Sequence, residues 1–346
     1  MKPRWTSKVA VGLIAMLALS GCASGGGAGN GGASASANST GYPLTIDNCG
    51  RQITIEKAPE RVITGYQNTV ELMIALGLED KVVGRQPFKQ SPLLPEQEAA
   101  FNAIPELTPG LPDNQQSMAA SREVQLAARP DFVLASGSFE VNASRGVASI
   151  EDFKAAGAEV YILSAGDGIS ECGGQSTEEL VYQDIRNLGS IFSVSDRAEA
   201  LIDDLKAEVA DVRSRIKDKQ PVRLFAYDSG EGPFTSISNA YFDFSLAGAE
   251  NVVTPTGSSL ETYPEVSKEA VAGANPQAIL TANYESGPLE DEARAKEDYL
   301  RTALPNSDAV IENRFIHIES IELSPGIRNA RAVRQIATAL HPDAFK

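Results

Sequence analysis

The 346-residue chain holds two histidines, His317 and His341, and three cysteines, so few side chains are equipped for covalent or acid–base chemistry. Nucleophilic hydrolysis needs a base beside its nucleophile. His341 sits in the tail LHPDAFK, and His317 alternates inside the strand-like FIHIES, where an imidazole packs or faces water. No G-x-S-x-G follows a strand and no G-x-x-x-x-G-K-[ST] occurs, which removes the hydrolase elbow and the phosphate loop. Without a histidine cluster, a metal site of several imidazoles has no ligands. The residues therefore predict no catalytic group, no resident metal and no cofactor. What remains is binding chemistry in the segments that follow apolar strands. In the first half these offer Tyr66, Gln67, Arg85, Gln86, Ser136, Gly137, Ser138 and Phe139; in the second, Tyr227, Asp228, Phe234, Tyr263, Asn283 and Tyr284. Arg85 can fork onto carboxylate or catecholate oxygens, although an arginine closing a strand at the surface has the same signature. Tyrosines can ligate a haem iron, although a lone loop tyrosine equally packs.

Elements must carry these loops, and from Tyr42 the chain alternates strand and helix patterns, an α/β arrangement. Residues 44–47 and 52–56 read as a hairpin, 62–64 as the first parallel strand, 69–77 as a helix stopped by Gly77, and 82–83 as the next strand. The proline-rich 85–118 reads as loops. A helix over 121–128, a strand over 131–135, a helix over 149–156 and a strand over 160–163 complete a first lobe, 42–176. A helical connector follows, 177–220. In it Ala198, Leu201, Ile202, Leu205, Val209, Val212 and Ile216 form one apolar stripe at three- and four-residue spacing. About 22 residues at about 1.5 Å each make about 33 Å, the width of a small domain. A second lobe, 221–346, carries strands at 223–227, 252–253, 278–281, 309–311 and 315–318 and a closing helix at 325–340. The expected fold is two Rossmann-like lobes with parallel-rich sheets joined by one long rigid helix. Ligands in such sheets bind beyond the carboxyl ends of the strands, so two facing lobes make a cleft.

The formal charge is −16, which argues against nucleic acid, whose phosphates need clustered Lys and Arg. Residues 1–21 read as a signal peptide: Lys2, Arg4 and Lys8, then the apolar Val9–Leu19, too short to span a bilayer as a mature helix. The run Leu19-Ser20-Gly21-Cys22 resembles a bacterial lipobox, which implies cleavage before Cys22 and acylation of its thiol; several acyl chains anchor durably. Residues 23–41, rich in Gly, Ala and Ser, then form a flexible leash, so 22–41 is anchor and linker. Export to an oxidising compartment makes Cys49 and Cys172 a candidate disulfide, with two buried thiols as the alternative.

Four segments together resemble the bacterial solute-binding proteins that serve ABC importers of iron–siderophores, cobalamin and haem. They are YPLTIDNCGRQITIEKAPERVIT, NTVELMIALGLEDKVVG, Arg129-Pro130-Asp131-Phe132-Val133 and TYPEVSKEAVAGANPQAIL, in that order and behind the lipobox, over about 42–340. The resemblance implies a monomeric binder that does no chemistry itself. It would be tethered at the outer face of the cytoplasmic membrane and deliver its ligand to a permease with a cytoplasmic ATPase. The implied ligand is an iron chelate, first a ferric siderophore, with a corrinoid or haem as the runner-up; a sensor or an enzyme on the same scaffold is the rival of another class. Ligand contacts are expected from Tyr66, Arg85, Ser138, Phe139, Tyr227, Phe234, Tyr263 and Tyr284, with Tyr263 where the family often sets an aromatic against the ligand. Family members also dock through one acid per lobe, which Glu71 and Glu269 match by position. For Glu71 a capping box with Asn68 is the competing role.

Overall fold

The chain enters the fold as a hairpin, β1 (Leu44–Asn48) paired antiparallel with β2 (Arg51–Ile55), in which Ile46, Ile53 and Ile55 point inward at period two. The Asn48 side-chain amide donates to Ile162 O at 2.7 Å and its oxygen accepts from Ile162 N at 3.0 Å, clamping the hairpin to the edge of the first sheet. The computed structural model describes residues 41–48, 50–87, 92–110, 119–167, 177–228, 234–239, 241–253, 263–284 and 289–346. The leash, Cys22 and the pair Cys49 and Cys172 lie outside the described residues. Residues 40–346 form one compact unit.

The first sheet is parallel in the order β4 (Val82–Arg85), β3 (Val62–Thr64), β5 (Phe132–Ala135), β6 (Glu159–Ile162). Around it run α1 (Gln67–Ala75), α2 (Glu98–Ala103), α3 (Arg122–Ala127), α4 (Ile150–Ala155), α5 (Ser164–Asp167) and α6 (Thr177–Ile191), before the long α7 (Ser195–Ile216). The second sheet repeats the design: β10 (Phe315–Glu319), β9 (Ala278–Asn283), β7 (Val222–Tyr227), β8 (Ala249–Asn251), all parallel. Its helices are α8 (Lys268–Ala274), α9 (Leu289–Ala303), α10 (Asp308–Ile311), α11 (Ser320–Leu323) and α12 (Asn329–Leu340).

Helix α7 is seated in both cores. Ala198, Ile202, Leu205 and Val209 belong to the apolar cluster of the first sheet, while Val212 and Ile216 belong to that of the second. A helix whose two halves are each buried in a different core resists bending between them. Arg334 of α12 adds an ion pair to Glu208 and Asp211 of α7, at 2.9 and 3.0 Å. Among the described residues no helix is long and apolar enough to cross a membrane.

Four local expectations are corrected. Residues 309–311 are not a strand but part of α10, a single turn capped by Ser307; so short an apolar run carries no usable period. The strand expected at 252–253 lies at Ala249–Asn251. The segment 85–118 contains α2, whose Phe101 is buried. Helix α1 starts at Gln67, two residues earlier than its apolar run indicates, which moves Glu71 into the second turn.

Candidate functional site

Each parallel strand nearest the middle of its sheet ends beside one cavity of about 480 Å³. From the first lobe, Tyr66 follows β3, Ser136 and Phe139 follow β5, and Gly166 follows β6; from the second, Asp228 follows β7, Tyr284 follows β9, and Ser320, Ser324 and Pro325 follow β10. Tyr241 and Tyr263 complete the wall. The cavity is therefore the cleft expected at the carboxyl ends of two facing sheets.

The second lobe supplies most of its chemistry. Tyr284 donates its hydroxyl to Asp228 Oδ1. Tyr263, a residue 38 % exposed, sets its ring 5.6 Å from that of Tyr241 at a tilt of 53°, and its hydroxyl hydrogen-bonds with those of Tyr284 and Tyr241. Tyr241 donates to Ser324 Oγ at 3.1 Å. Burial pushes the Tyr263 and Tyr284 phenols well above the usual range, and the nearby Asp228 carboxylate adds to this. Burial also raises the Asp228 carboxyl, opposed by the Tyr284 hydrogen bond and the charge of Lys296. Lys296 lies behind the wall, donating to Asp228 O at 3.1 Å and paired with Glu292 at 2.8 Å.

The first lobe's wall is held by a residue that the sequence reading missed. Glu140, 4 % exposed, accepts from Tyr66 N and from Ser136 N, both at 3.1 Å, and so ties the ends of β3 and β5 together. Tyr66 meets Phe139 edge to face at 5.9 Å. Gly65 makes room: a Cβ there would lie 1.5 Å from Glu140 Oε2. The spacing of a glycine–tyrosine pair after one strand and Phe-Glu after another is the sequence signal, and it has meaning only once β3 and β5 are known to be neighbours.

Of the residues expected to touch ligand, the structure brings Tyr66, Phe139, Tyr263 and Tyr284 to the cavity, with Ser136 and Asp228 from the same loops. Others are elsewhere. Tyr227 and Phe234 are 0 % and 3 % exposed and pack with Phe225 and Tyr299 in the second core, because the last residue of β7 points into the sheet's packed face. Arg85 is 6 % exposed, paired with Glu106 at 2.7 Å and set 4.6 Å over the Phe101 ring, so the added helix α2 takes it from the cleft. Ser138 is exposed off the wall. Gln67 donates to Glu71 at 2.8 Å, Gln86 accepts from Ala120 N at 2.7 Å, and Asn283 caps the backbone of β9 and β10.

Residues 62–322 match the family described as periplasmic binding protein. The chain belongs to that family. It is 23 % identical over 342 residues to an uncharacterized ABC transporter substrate-binding lipoprotein of Bacillus subtilis, covering 96 % of each chain. It is 24 % identical over 232 residues to the vitamin B12-binding protein of Yersinia pestis, covering 66 % of this chain and 72 % of that one. A periplasmic binding protein from Veillonella parvula superposes with TM-score 0.74 at 25 % identity, over 86 % of this chain and 97 % of that one. A protein of an ABC-type Fe3+-hydroxamate transport system from Saccharomonospora viridis gives TM-score 0.68 at 25 % identity, over 87 % and 99 %.

Within this periplasmic binding protein, Glu71 has neither of its expected roles. Because α1 begins at Gln67 with Tyr66 as its N-cap, Glu71 falls in the second turn, and no side chain caps the helix. Glu71 is 0 % exposed and receives both Nε and Nη2 of Arg328 at 2.7 and 2.6 Å. Arg328 also donates to Glu322 at 2.7 Å and to Pro92 O at 2.9 Å. This buried triad joins α1 to the second lobe, beside Asn68, which donates to Ser136 Oγ and to Pro325 O. An acid under Arg328 is not available to another protein.

Glu269 is exposed and follows the cap Ser267, which accepts from Ala270 N at 3.0 Å. Its structural counterpart in the first lobe is Glu123. Ser121-Arg122-Glu123 opens α3 and Ser267-Lys268-Glu269 opens α8, each with Ser capping the residue three on. Both helices end in a left-handed residue, Arg129 at φ 48° and Asn275 at φ 43°, just before Pro130 and Pro276 and the central strand.

His317 accounts for the remaining acid–base candidate. Its Nδ1 meets Thr281 Oγ1 and its Nε2 meets Glu297, both at 2.7 Å, a hydroxyl–imidazole–carboxylate line. Thr281 is 0 % exposed within β9, so the line presents no nucleophile to a substrate and braces β9, β10 and α9 instead.

Proposed function

We propose that the chain is the lipid-anchored substrate-binding protein of an ABC importer. It captures a metal chelate, foremost a ferric siderophore, between its lobes and delivers it to a membrane permease. The observation that carries this reading is the aromatic cavity of about 480 Å³ between two sheets that share one rigid helix. Aromatic faces and hydroxyls from both lobes suit a bulky, partly apolar ligand that is held and released without chemistry. The likeness to a protein of a hydroxamate transport system supports the iron chelate, and the vitamin B12-binding relatives favour a corrinoid as the second reading. Acylation of Cys22 would keep the protein at the outer face of the membrane. Glu123 and Glu269, at equivalent helix starts on the two lobes, are the pair for electrostatic docking onto the permease, whose partner ATPase lies on the other side of the membrane.

The test is the melting temperature of the full chain in detergent with ferric hydroxamate, catecholate and citrate chelates, cobalamin and haem, each beside its metal-free form where one exists. A ligand at 100 times its Kd stabilises by about 2.7 kcal/mol. A rise with a ferric complex and none with its iron-free form is the expected outcome. A rise with cobalamin alone moves the assignment to corrinoids, and no rise with any of them overturns the chelate reading.

A further inference from the structure

We infer that the cleft selects by charge: it takes a neutral or cationic chelate whose metal is already fully coordinated, and rejects polyanionic ones, with Asp228 as the selecting residue. This rests on the import reading above and narrows its ligand class. Among the described wall residues the single formal charge is Asp228; the other polar groups are the hydroxyls of Tyr66, Tyr241, Tyr263 and Tyr284 and of three serines. The cations that approach this region are committed elsewhere. Arg85 is held by Glu106 and Phe101, Arg328 by Glu71 and Glu322, and Lys296 by Glu292 and two backbone carbonyls behind the wall. Arg145 lies 5.6 Å over the Phe139 ring but is exposed, where water and salt screen its charge. The whole chain, at −16, adds a field of the same sign as Asp228.

An anion entering this wall loses hydration and meets the Asp228 carboxylate, while the nearest cation, Lys296, is already paired with Glu292 behind it. A ligand ammonium or amide N–H instead finds an acceptor in Asp228, whose other hydrogen bond comes from Tyr284. The same geometry bears on metal coordination. Tyr284 already donates its hydroxyl to Asp228, so it is not disposed to become a tyrosinate ligand. A chelate that brings all its own donors asks no oxygen of Tyr284.

The experiment uses two charge series on unchanged scaffolds. The first is the ferric complex of desferrioxamine B with its free ammonium, its N-acetyl form and its N-succinyl form, carrying +1, 0 and −1. The second is cyanocobalamin against its monocarboxylic acid derivatives. Equilibrium binding to the full chain in detergent is measured for the natural protein, Asp228→Asn, and Arg145→Ala. In the series that binds, the expected affinity order is cation at or above neutral, with the anion about tenfold or more weaker at low salt. Asp228→Asn should shrink the cation-to-anion ratio by about tenfold or more, with an unchanged melting temperature as the control for folding. Equal or tighter binding of the anionic member overturns the charge inference and leaves the import reading standing. So does a ratio that Asp228→Asn leaves alone and Arg145→Ala changes. Binding by neither series, while haem binds, overturns the inference in favour of protein-ligated iron. Binding by none of these removes the chelate reading itself and the inference with it.

Discussion

The outer ends of the two lobes are alike and their inner faces are not. Outside, α3 and α8 each open with a serine cap, a basic residue (Arg122 or Lys268) and a glutamate, and each closes with a left-handed residue, Arg129 or Asn275, before proline. Inside, the first lobe offers two rings, a serine and a glycine, whereas the second offers three tyrosines, two serines and a carboxylate. Repeated geometry outside suits one partner gripped at two equivalent points. Divergence inside suits a ligand with two different faces. Between these regions the Glu71–Arg328–Glu322 triad sets the lobes against each other without belonging to either use.

The largest effect that sharpens this division comes from the triad. Arg328→Ala leaves Glu71 and Glu322 buried without their cation and should cost about 3–5 kcal/mol in denaturant unfolding. A loss within about 0.5 kcal/mol, the surface-substitution range, would mean that the triad is open to water and that Glu71 can serve as a docking acid after all.

Next is Gly65→Ala, whose Cβ would strike Glu140 and untie Tyr66 from Ser136. The expected cost is about 1–3 kcal/mol, as for other overpacked sites. Ligand affinity should fall with it, because the first lobe's wall moves. Unfolding and binding titrations on the same preparation read both.

The triad also has a pH signature. Burial raises the Glu322 carboxyl above its ordinary 4.5, although Arg328 and Arg331 oppose the shift. Ionising it therefore costs the folded state more than the unfolded one. The stability of the natural protein relative to Glu322→Gln should be greatest below pH 4.5 and decline as pH rises through the raised native value. A gap that widens in the natural protein's favour with rising pH would reverse the sign.

The outer repeat predicts smaller numbers. Ser121→Ala and Ser267→Ala should each cost about 1 kcal/mol, and by similar amounts, if the two caps are equivalent. Smallest on stability is Glu123→Ala with Glu269→Ala, within about 0.5 kcal/mol as for surface sites. That double variant should keep ligand affinity and lose uptake in whole cells. Normal uptake would dissociate the repeat from docking.

Much of the framework was legible without a fold. Periodicity placed α7, the central strands and the hairpin, because an apolar stripe at helical spacing and alternation at period two are properties of neighbours in the chain. Three cavity aromatics, Tyr66, Phe139 and Tyr284, stand in loops that follow strands, and Tyr263 was indicated by the family resemblance. The absence of a hydrolase elbow or a P-loop was equally plain. The same rule misplaced Tyr227 and Phe234, since whether the last residue of a strand faces the cleft or the core depends on the side of the sheet to which it points.

What the chain's residues determined alone is thus the alternation of strands and helices, the stiff connector between two lobes, and the binding character of the loops. Only the tertiary structure decided partnership. It gave Glu71 to Arg328, 257 positions away, and Arg85 to Glu106; it joined Tyr66 to Ser136 through Glu140; and it matched Glu123 rather than Glu71 with Glu269. The physical reason is that a charge's role is set by burial and by what lies within about 3 Å of it. Neither is a function of sequence spacing once the chain has turned back on itself.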